Sequence, residues 1–247
     1  MATTINSWQQ ALDKLGHKYE ILLIDDGSTD ATPTEAFALA AHHSVVRVVR
    51  HDSRRGIGAS IHTGLNESSL ANVVYAGPGY SPSDLKALVE MLDQADIVTG
   101  YRTSPVPNWL RSTGSVYRKL VLIAFGLTLE PRVSWRGWTE WRKVQRLRWL
   151  FGIRVTDPLC AFKVFRRTIM ERIALQSDGE FVHAELLAKA NFIGGLMAEL
   201  PVAPPSRFGD AFGPGDYEAE LRRVFRHAEF VRPTIAVVDA ALPTGNA

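Results

Sequence analysis

Cysteine is nearly absent from the sequence: one residue, Cys160, in a chain of 247. That excludes an internal disulfide framework, and a lone thiol of this kind reads as a small core hydrophobe rather than a nucleophile. Long hydrophobic runs are missing too. The best, LVLIAFGL over 120–127, is far too short against the roughly 18 to 20 apolar residues a membrane-spanning helix requires. The first residues, MATTINSWQQALDKLG, have neither the basic start nor the apolar stretch of a secretory signal and read as a helix, so the expected compartment is the cytoplasm. Charge of one sign is not in excess: 28 Lys and Arg against 26 Asp and Glu give a formal net charge of +2. A surface that tracks nucleic-acid phosphates concentrates basic residues, so no nucleic-acid partner is expected. Neither an internal repeat nor a low-complexity tract is present. What remains, at 46% hydrophobic and 22% charged, is the make-up of a globular chain able to bury a core.

Periodicity supplies the elements. Ile5, Trp8, Leu12 and Leu15 recur at helical spacing, with Gly16 as the stop. YEILLI over 19–24 is a compact apolar run ending in Asp-Asp-Gly-Ser, the pattern of a buried parallel strand with a polar loop at its carboxyl end. A helix from Thr32-Pro33 to Ala41, a strand over 45–49, a glycine-started helix over 56–65 and a short strand over 73–75 follow. Ser81-Pro82 caps a helix to Leu92, and DIVT over 96–99 is the next strand. This alternation predicts an α/β fold with a mostly parallel sheet flanked by helices. Beyond Tyr101 the expectations are a helix over 110–125, a Trp- and Arg-rich insertion at about 128–151, a strand over 162–165 and a helix over 181–190. A strand over 197–202, a Pro- and Gly-rich loop and a charged helix over 217–230 complete one domain, 1–233, followed by a tail, 234–247.

Open parallel sheets bind ligands just beyond the carboxyl ends of their strands, which puts Asp25, Asp26, Gly27 and Ser28 where a nucleotide would be held. A carboxylate accepts hydrogen bonds from a base imide or from ribose hydroxyls, Gly27 permits a sharp turn, and Ser28 or Asp30 starts the next helix. Taken alone, the two carboxylates are explained as well by strand termination and helix capping. LLIDDGSTDAT, over 22–32, is similar to the second-strand motif of family 2 glycosyltransferases, in particular dolichyl-phosphate mannosyltransferases and bacterial polyprenyl-phosphate sugar transferases. RRGIGASIHTGL (54–65), SPSDLKALVEML (81–92), DIVTGYR (96–102), VTDPLCAFKVFRR (155–167) and FVHAELLAKANFIGGLMAELPV (181–202) resemble further segments of that family, in its order. The resemblance covers roughly 11–213.

The resemblance implies the GT-A fold and transfer of a sugar, with inversion, from a nucleotide-sugar donor to a polyprenyl phosphate. It implies a donor site at Asp25, Asp26, Gly27, Ser28, Gly56 and Arg207, and an acceptor-phosphate site at Arg102, Arg111 and Ser115. Asp157 and Glu185 match family carboxylates and are the candidate catalytic or orienting acids, though as lone acids they serve equally as structural partners; His183 reads as structural. An acceptor phosphate is already an anion, so attack on the anomeric carbon needs positioning and charge neutralisation rather than a strong base.

Three departures accompany the resemblance. Where members carry D-x-D, the metal-holding carboxylates, this chain has Tyr75, Ala76 and Gly77, so the Mg²⁺ or Mn²⁺ expected in the family lacks its ligands and no metal site is expected. Asp84, further on, would serve only in a differently folded loop. The family's first strand is not seen before the opening helix; IAVVDAAL, over 235–242, is apolar and β-branched enough to substitute for it. RFGDAFG, over 207–213, has Ala211 and Phe212 where a Ser and a phosphate-binding Lys are expected. An alternative reading is therefore a pseudo-glycosyltransferase that binds a nucleotide sugar, a lipid phosphate or a protein. Along Trp135 to Phe151, Trp141, Val144, Leu147 and Phe151 share one helical face and Arg142, Lys143 and Arg146 the other. That suits peripheral contact with an anionic membrane, and it equally suits ordinary packing on the domain.

Overall fold

The computed structural model describes residues 1–102, 137–206 and 216–231, with side chains of the helix at 137–151 described from Arg142 onward. The elements in chain order are α1 (Ala2–Asp13), β1 (Ile21–Asp25), α2 (Thr32–His42), β2 (Val46–Arg50), α3 (Ile57–Glu67) and β3 (Asn72–Ala76). Then come α4 (Leu85–Glu90) between two 3-10 turns, β4 (Ile97–Arg102), α5 (Gly137–Phe151), β5 (Phe162–Arg166), α6 (Arg167–Met170), α7 (Val182–Phe192), β6 (Met197–Val202) and α8 (Tyr217–Arg226). The helix expected over 110–125 and the tail strand over 235–242 fall outside the described residues. The charged helix is shorter than its expected span, ending at Arg226, because His227 leaves helical geometry.

β1 and β2 pair in parallel with Asp25 opposite Arg50. The other strands form a four-stranded sheet in the order β3-β5-β4-β6. β4 and β6 are parallel and β5 alone of the described strands runs antiparallel to its neighbours, so the strands are mostly parallel, as the sequence pattern predicts, with one reversed strand inside the larger sheet. The strand starts cluster at one end: the Glu20 carboxylate accepts from the Ser69 amide, just before β3, while Arg47 of β2 pairs with Glu67 at the end of α3. The carboxyl ends of β1 to β4 therefore share the opposite edge, and the start of antiparallel β5 joins them there.

Side chains alternate across a strand, and here the alternation feeds two apolar layers. Val98, Val164 and Phe162 face α4 (Leu85, Leu88) and Trp8 of α1. Ile97 and Phe165 face α7 (Phe181, Leu186, Leu187), Leu147 of α5 and Leu221 and Val224 of α8. α7 is buried on every side, as a central helix must be when its sequence is apolar nearly all round. Its two charged residues, Glu185 and Lys189, neutralise one another at 2.8 Å.

Candidate functional site

The first part of the site is the turn after β1. Asp25, its last residue, is buried at 6% exposure, and its Oδ1 accepts from the Ser28 amide at 3.1 Å. Its Oδ2 lies 3.2 Å from Arg50 Nε but accepts no aligned hydrogen bond among the described residues. Asp26 is fully engaged. Its Oδ1 takes His51 Nδ1 at 2.7 Å and the Arg55 amide at 2.9 Å, and its Oδ2 takes the Gly56 amide at 2.8 Å. His51 Nε2 in turn lies 2.8 Å from Thr63 Oγ1, so the imidazole bridges the β1 turn to α3. Burial raises the Asp26 carboxyl pKa, but the bonds from His51, Arg55 and Gly56 and the His51 charge outweigh it and hold the group below its ordinary range.

Two glycines make this packing possible. Gly27 has φ +71°, and a Cβ there would stand 2.5 Å from the Ser53 carbonyl carbon. Gly56, with φ +104°, starts α3 with its Cα against the Asp178 carbonyl. Ser28 turns its carbonyl to Arg50 at 3.1 Å, and the helix start is served by Asp30, which accepts the Thr32 amide at 2.9 Å. The sequence pattern singled out the carboxylates and missed His51. The signal lay in the register: with Asp25 opposite Arg50, the next residues of the two parallel strands, Asp26 and His51, fall side by side.

The second part lies at the ends of β3 and β4. The Tyr75 ring stacks on His183 at 5.5 Å between centroids, with its hydroxyl 3.5 Å from Nε2. Gly77 packs so closely on Ala161 that a Cβ would meet the Ala161 methyl at 2.9 Å. Opposite Tyr75 on β5 is Lys163, a fully buried ammonium that donates to Thr99 Oγ1 at 3.0 Å and to the Pro158 and Cys160 carbonyls. Burial lowers its pKa to about 8. The buried Cys160 thiol sits 3.4 Å from the Tyr80 hydroxyl. A hard dication needs converging anionic oxygens; among the described residues at this position, an aromatic stack, a glycine in van der Waals contact and a buried ammonium do not fit one. Asp84 is committed elsewhere, accepting the Ala203 amide at 3.0 Å after β6.

Arg102, at the end of β4, is clamped by Asp157: Nε to Oδ2 at 2.7 Å, Nη2 to Oδ1 at 3.0 Å, and the Arg102 amide to Oδ2 at 3.2 Å. Burial raises the Asp157 pKa, yet the Arg102 bonds and charge hold it below the ordinary carboxylate range. This fork fixes the guanidinium at the strand end. Arg111, Ser115 and Arg207 lie outside the described residues.

Glu185 acts as a loop clamp. Fully buried, it accepts the Gln176 and Ser177 amides at 2.8 and 2.9 Å besides pairing with Lys189. Glu220 of α8 accepts the Asp178 and Gly179 amides at 3.1 and 2.7 Å. The Asp178 carbonyl then receives the Gly58 amide at 2.8 Å, so α7 and α8 jointly seat the start of α3 beneath the β1 turn. The described part of α5 packs on the domain. Leu147 is buried, Phe151 contacts Phe181 and Phe225, and Lys143 and Arg146 pair with Glu180 and Glu218. Trp149, 85% exposed, is its outward aromatic.

A mixed sheet between two helical layers, with polar residues gathered at its carboxyl edge, is the GT-A glycosyltransferase arrangement. Glucosyl-3-phosphoglycerate synthase from Mycobacterium tuberculosis, solved with Mn²⁺, UDP-glucose and phosphoglyceric acid, shares this fold at a TM-score of 0.53 and 21% identity, over 90% of this chain and 71% of that one. Residues 2–173 match the family model described as glycosyl transferase family 2, and the chain belongs to that family. Polyprenol monophosphomannose synthase of Mycolicibacterium smegmatis is 28% identical over 195 residues, covering 74% of this chain and 65% of that protein. Dolichol-phosphate mannosyltransferase of Pyrococcus furiosus is 26% identical over 183 residues, 72% of this chain and 46% of that protein. The chain thus spans less than two thirds of the length of either relative.

Proposed function

We propose that the chain transfers a sugar from a nucleotide-sugar donor to a polyprenyl phosphate, inverting the anomeric centre. The observation that carries this reading is Asp25: a buried carboxylate at the carboxyl end of β1, with one oxygen fixed by the Ser28 turn and the other ion-paired to Arg50 at 3.2 Å while accepting no aligned hydrogen bond among the described residues. An imide N–H or a ribose hydroxyl supplies the missing donor. Asp26 shapes the pocket rather than touching the ligand, since its bonds go to His51, Arg55 and Gly56. On the acceptor side Asp157 orients Arg102 toward a phosphate that Arg111 and Ser115 help to hold, and the phosphate oxygen attacks in line without a base. Both carboxylates are then positioning residues.

Calorimetric titration with UDP- and GDP-sugars, with and without Mn²⁺, tests the donor site. Wild-type protein is expected to bind one of them independently of metal, and Asp25→Ala to weaken that binding by at least about tenfold, roughly 1.4 kcal/mol. Absence of binding to every nucleotide would leave only a binding module without a donor reaction.

A lipid acceptor implies work at a bilayer surface, on its cytoplasmic face. No helix among the described residues is long and apolar enough to cross a membrane. Because α5 from Arg142 onward turns its apolar stripe inward, contact through the described part of this helix falls to Trp149, whose indole suits the headgroup layer. Trp149→Ala is expected to reduce co-flotation with vesicles containing anionic lipid; unchanged flotation would refute this contact.

A further inference from the structure

The register sets Tyr75, Lys163, Thr99 and Glu199 side by side, one from each of β3, β5, β4 and β6. Residues directly opposite in paired strands project from the same face, so the four side chains form one row across the sheet. Tyr75 stacks on His183, which places the row on the face that carries α7. Its two charged members hold one loop. The Glu199 carboxylate accepts the amide and the hydroxyl of Thr156, and the Lys163 ammonium donates to the Pro158 and Cys160 carbonyls. Between these anchors the Cys160 amide donates to the Asp157 carbonyl at 3.2 Å and closes a turn. Asp157, which opens that turn, is the residue that grips Arg102. An ammonium has three N–H groups, and Thr99 Oγ1 and the two carbonyls give each an acceptor. A methionine fills similar space without the cost of desolvating a charge, so packing alone gives no reason for a lysine here. Its reach to the turn does.

We propose that Lys163 and Glu199 are positioning residues: together they set the 156–160 turn so that Asp157 meets Arg102, and thereby aim the guanidinium at the anionic acceptor. The aim at the acceptor rests on the function proposed above; the hold on the fork does not. Charge on Lys163 makes the hold dependent on pH. Burial brings its pKa down to about 8, so the ammonium is present below that value and the anchor weakens as pH rises through it. The groups facing it titrate elsewhere. Burial pushes up the Cys160 thiol in the turn, Tyr75 on β3 and Tyr80 after it, and pushes His183 of α7 down. Against its own burial, Asp157 is held low by the Arg102 bonds and charge.

NMR of the Arg102 Nε–H group reads the fork without any ligand, so its outcome is separate from that of sugar transfer. Lys163→Met and Glu199→Ala are each expected to speed exchange of this proton by at least about tenfold. Val164→Ala, which opens a cavity on the opposite face of β5, is the control for lost stability and leaves the proton unchanged. In the unaltered chain the resonance is expected to shift with a midpoint near pH 8, and Lys163→Met removes that step. With a short polyprenyl phosphate as acceptor, Lys163→Met is expected to raise the acceptor KM at least about tenfold while donor affinity by calorimetry stays the same. Unaltered exchange in both variants overturns the proposal, as does equal speeding in Val164→Ala. A loosened fork with an unchanged acceptor KM overturns the aim at the acceptor. A fork that responds as expected in a chain without transferase activity supports the hold and counts against the acceptor reading alone. Should Lys163→Met not fold, Glu199→Ala and the pH step of the unaltered chain decide: if neither moves the Arg102 signal, the proposal falls.

Discussion

Replacing Gly58 with alanine is expected to destabilise the protein by about 3 kcal/mol or more, a fall in Tm of roughly 6 to 12 °C for a chain of this size. Helix propensity alone predicts the opposite sign, because alanine is favoured over glycine within a helix by up to about 1 kcal/mol. Sterics decide here. A Cβ on Gly58 would stand 1.8 Å from the Ser177 carbonyl oxygen and 2.8 Å from Asp178 Cα, all backbone atoms without a rotamer to change. The loop has little freedom to retreat, since Glu185 holds the amides of Gln176 and Ser177 and Glu220 those of Asp178 and Gly179. Retreat would also break the bond from the Gly58 amide to Asp178. Gly64, in the same helix, is the control: the nearest atom to its Cβ would be Ile24 Cγ1 at 3.9 Å, so Gly64→Ala should be neutral or stabilising. Urea unfolding of both variants distinguishes the cases, and a Gly58→Ala protein as stable as Gly64→Ala would refute the close approach.

That contact also shows what local pattern reveals and what it hides. GIGASIHTGL announces a glycine-started helix, and apolar runs announce every described strand, because these depend on neighbours in sequence. The direction of β5 depends on where the chain re-enters the sheet, and nothing in FKVFR encodes that. The Asp-Asp pair was visible because a polar turn after an apolar strand marks the ligand edge of an open sheet. Which aspartate is spoken for was not visible, since it turns on His51, 25 residues away. Lys163 reads as one polar residue in a strand, and only the fold shows its ammonium under the Asp157 turn. For α5, amphipathicity fitted a membrane and a protein core equally. Ion pairs to Glu180 and Glu218 and the burial of Leu147 assign its described apolar face to the core.

Asp26→Ala is expected to lower stability by about 2 to 3 kcal/mol and to abolish nucleotide binding, while Asp25→Ala lowers binding with a smaller loss of stability. The contrast follows from where the bonds go. Asp26 joins the β1 turn to the 51–56 loop through one imidazole and two amides, and its removal leaves those donors without their acceptor at the start of α3. Among the described residues the Asp25 carboxylate keeps a single hydrogen bond, from the Ser28 amide, beside its ion pair with Arg50. Acid offers an independent check. The Asp26 carboxyl titrates below its ordinary value in the folded chain, so its stabilisation is complete above the unfolded carboxylate pKa of about 3.9 and is lost as pH falls through the lower folded value. The stability gap between wild type and Asp26→Ala should therefore be full at pH 7 and narrow below about pH 4. Urea midpoints across that range measure it. A gap that stays constant into acid would mean the Asp26 charge does not hold the loop, and a binding loss in Asp26→Ala without any loss of stability would make Asp26, not Asp25, the ligand contact.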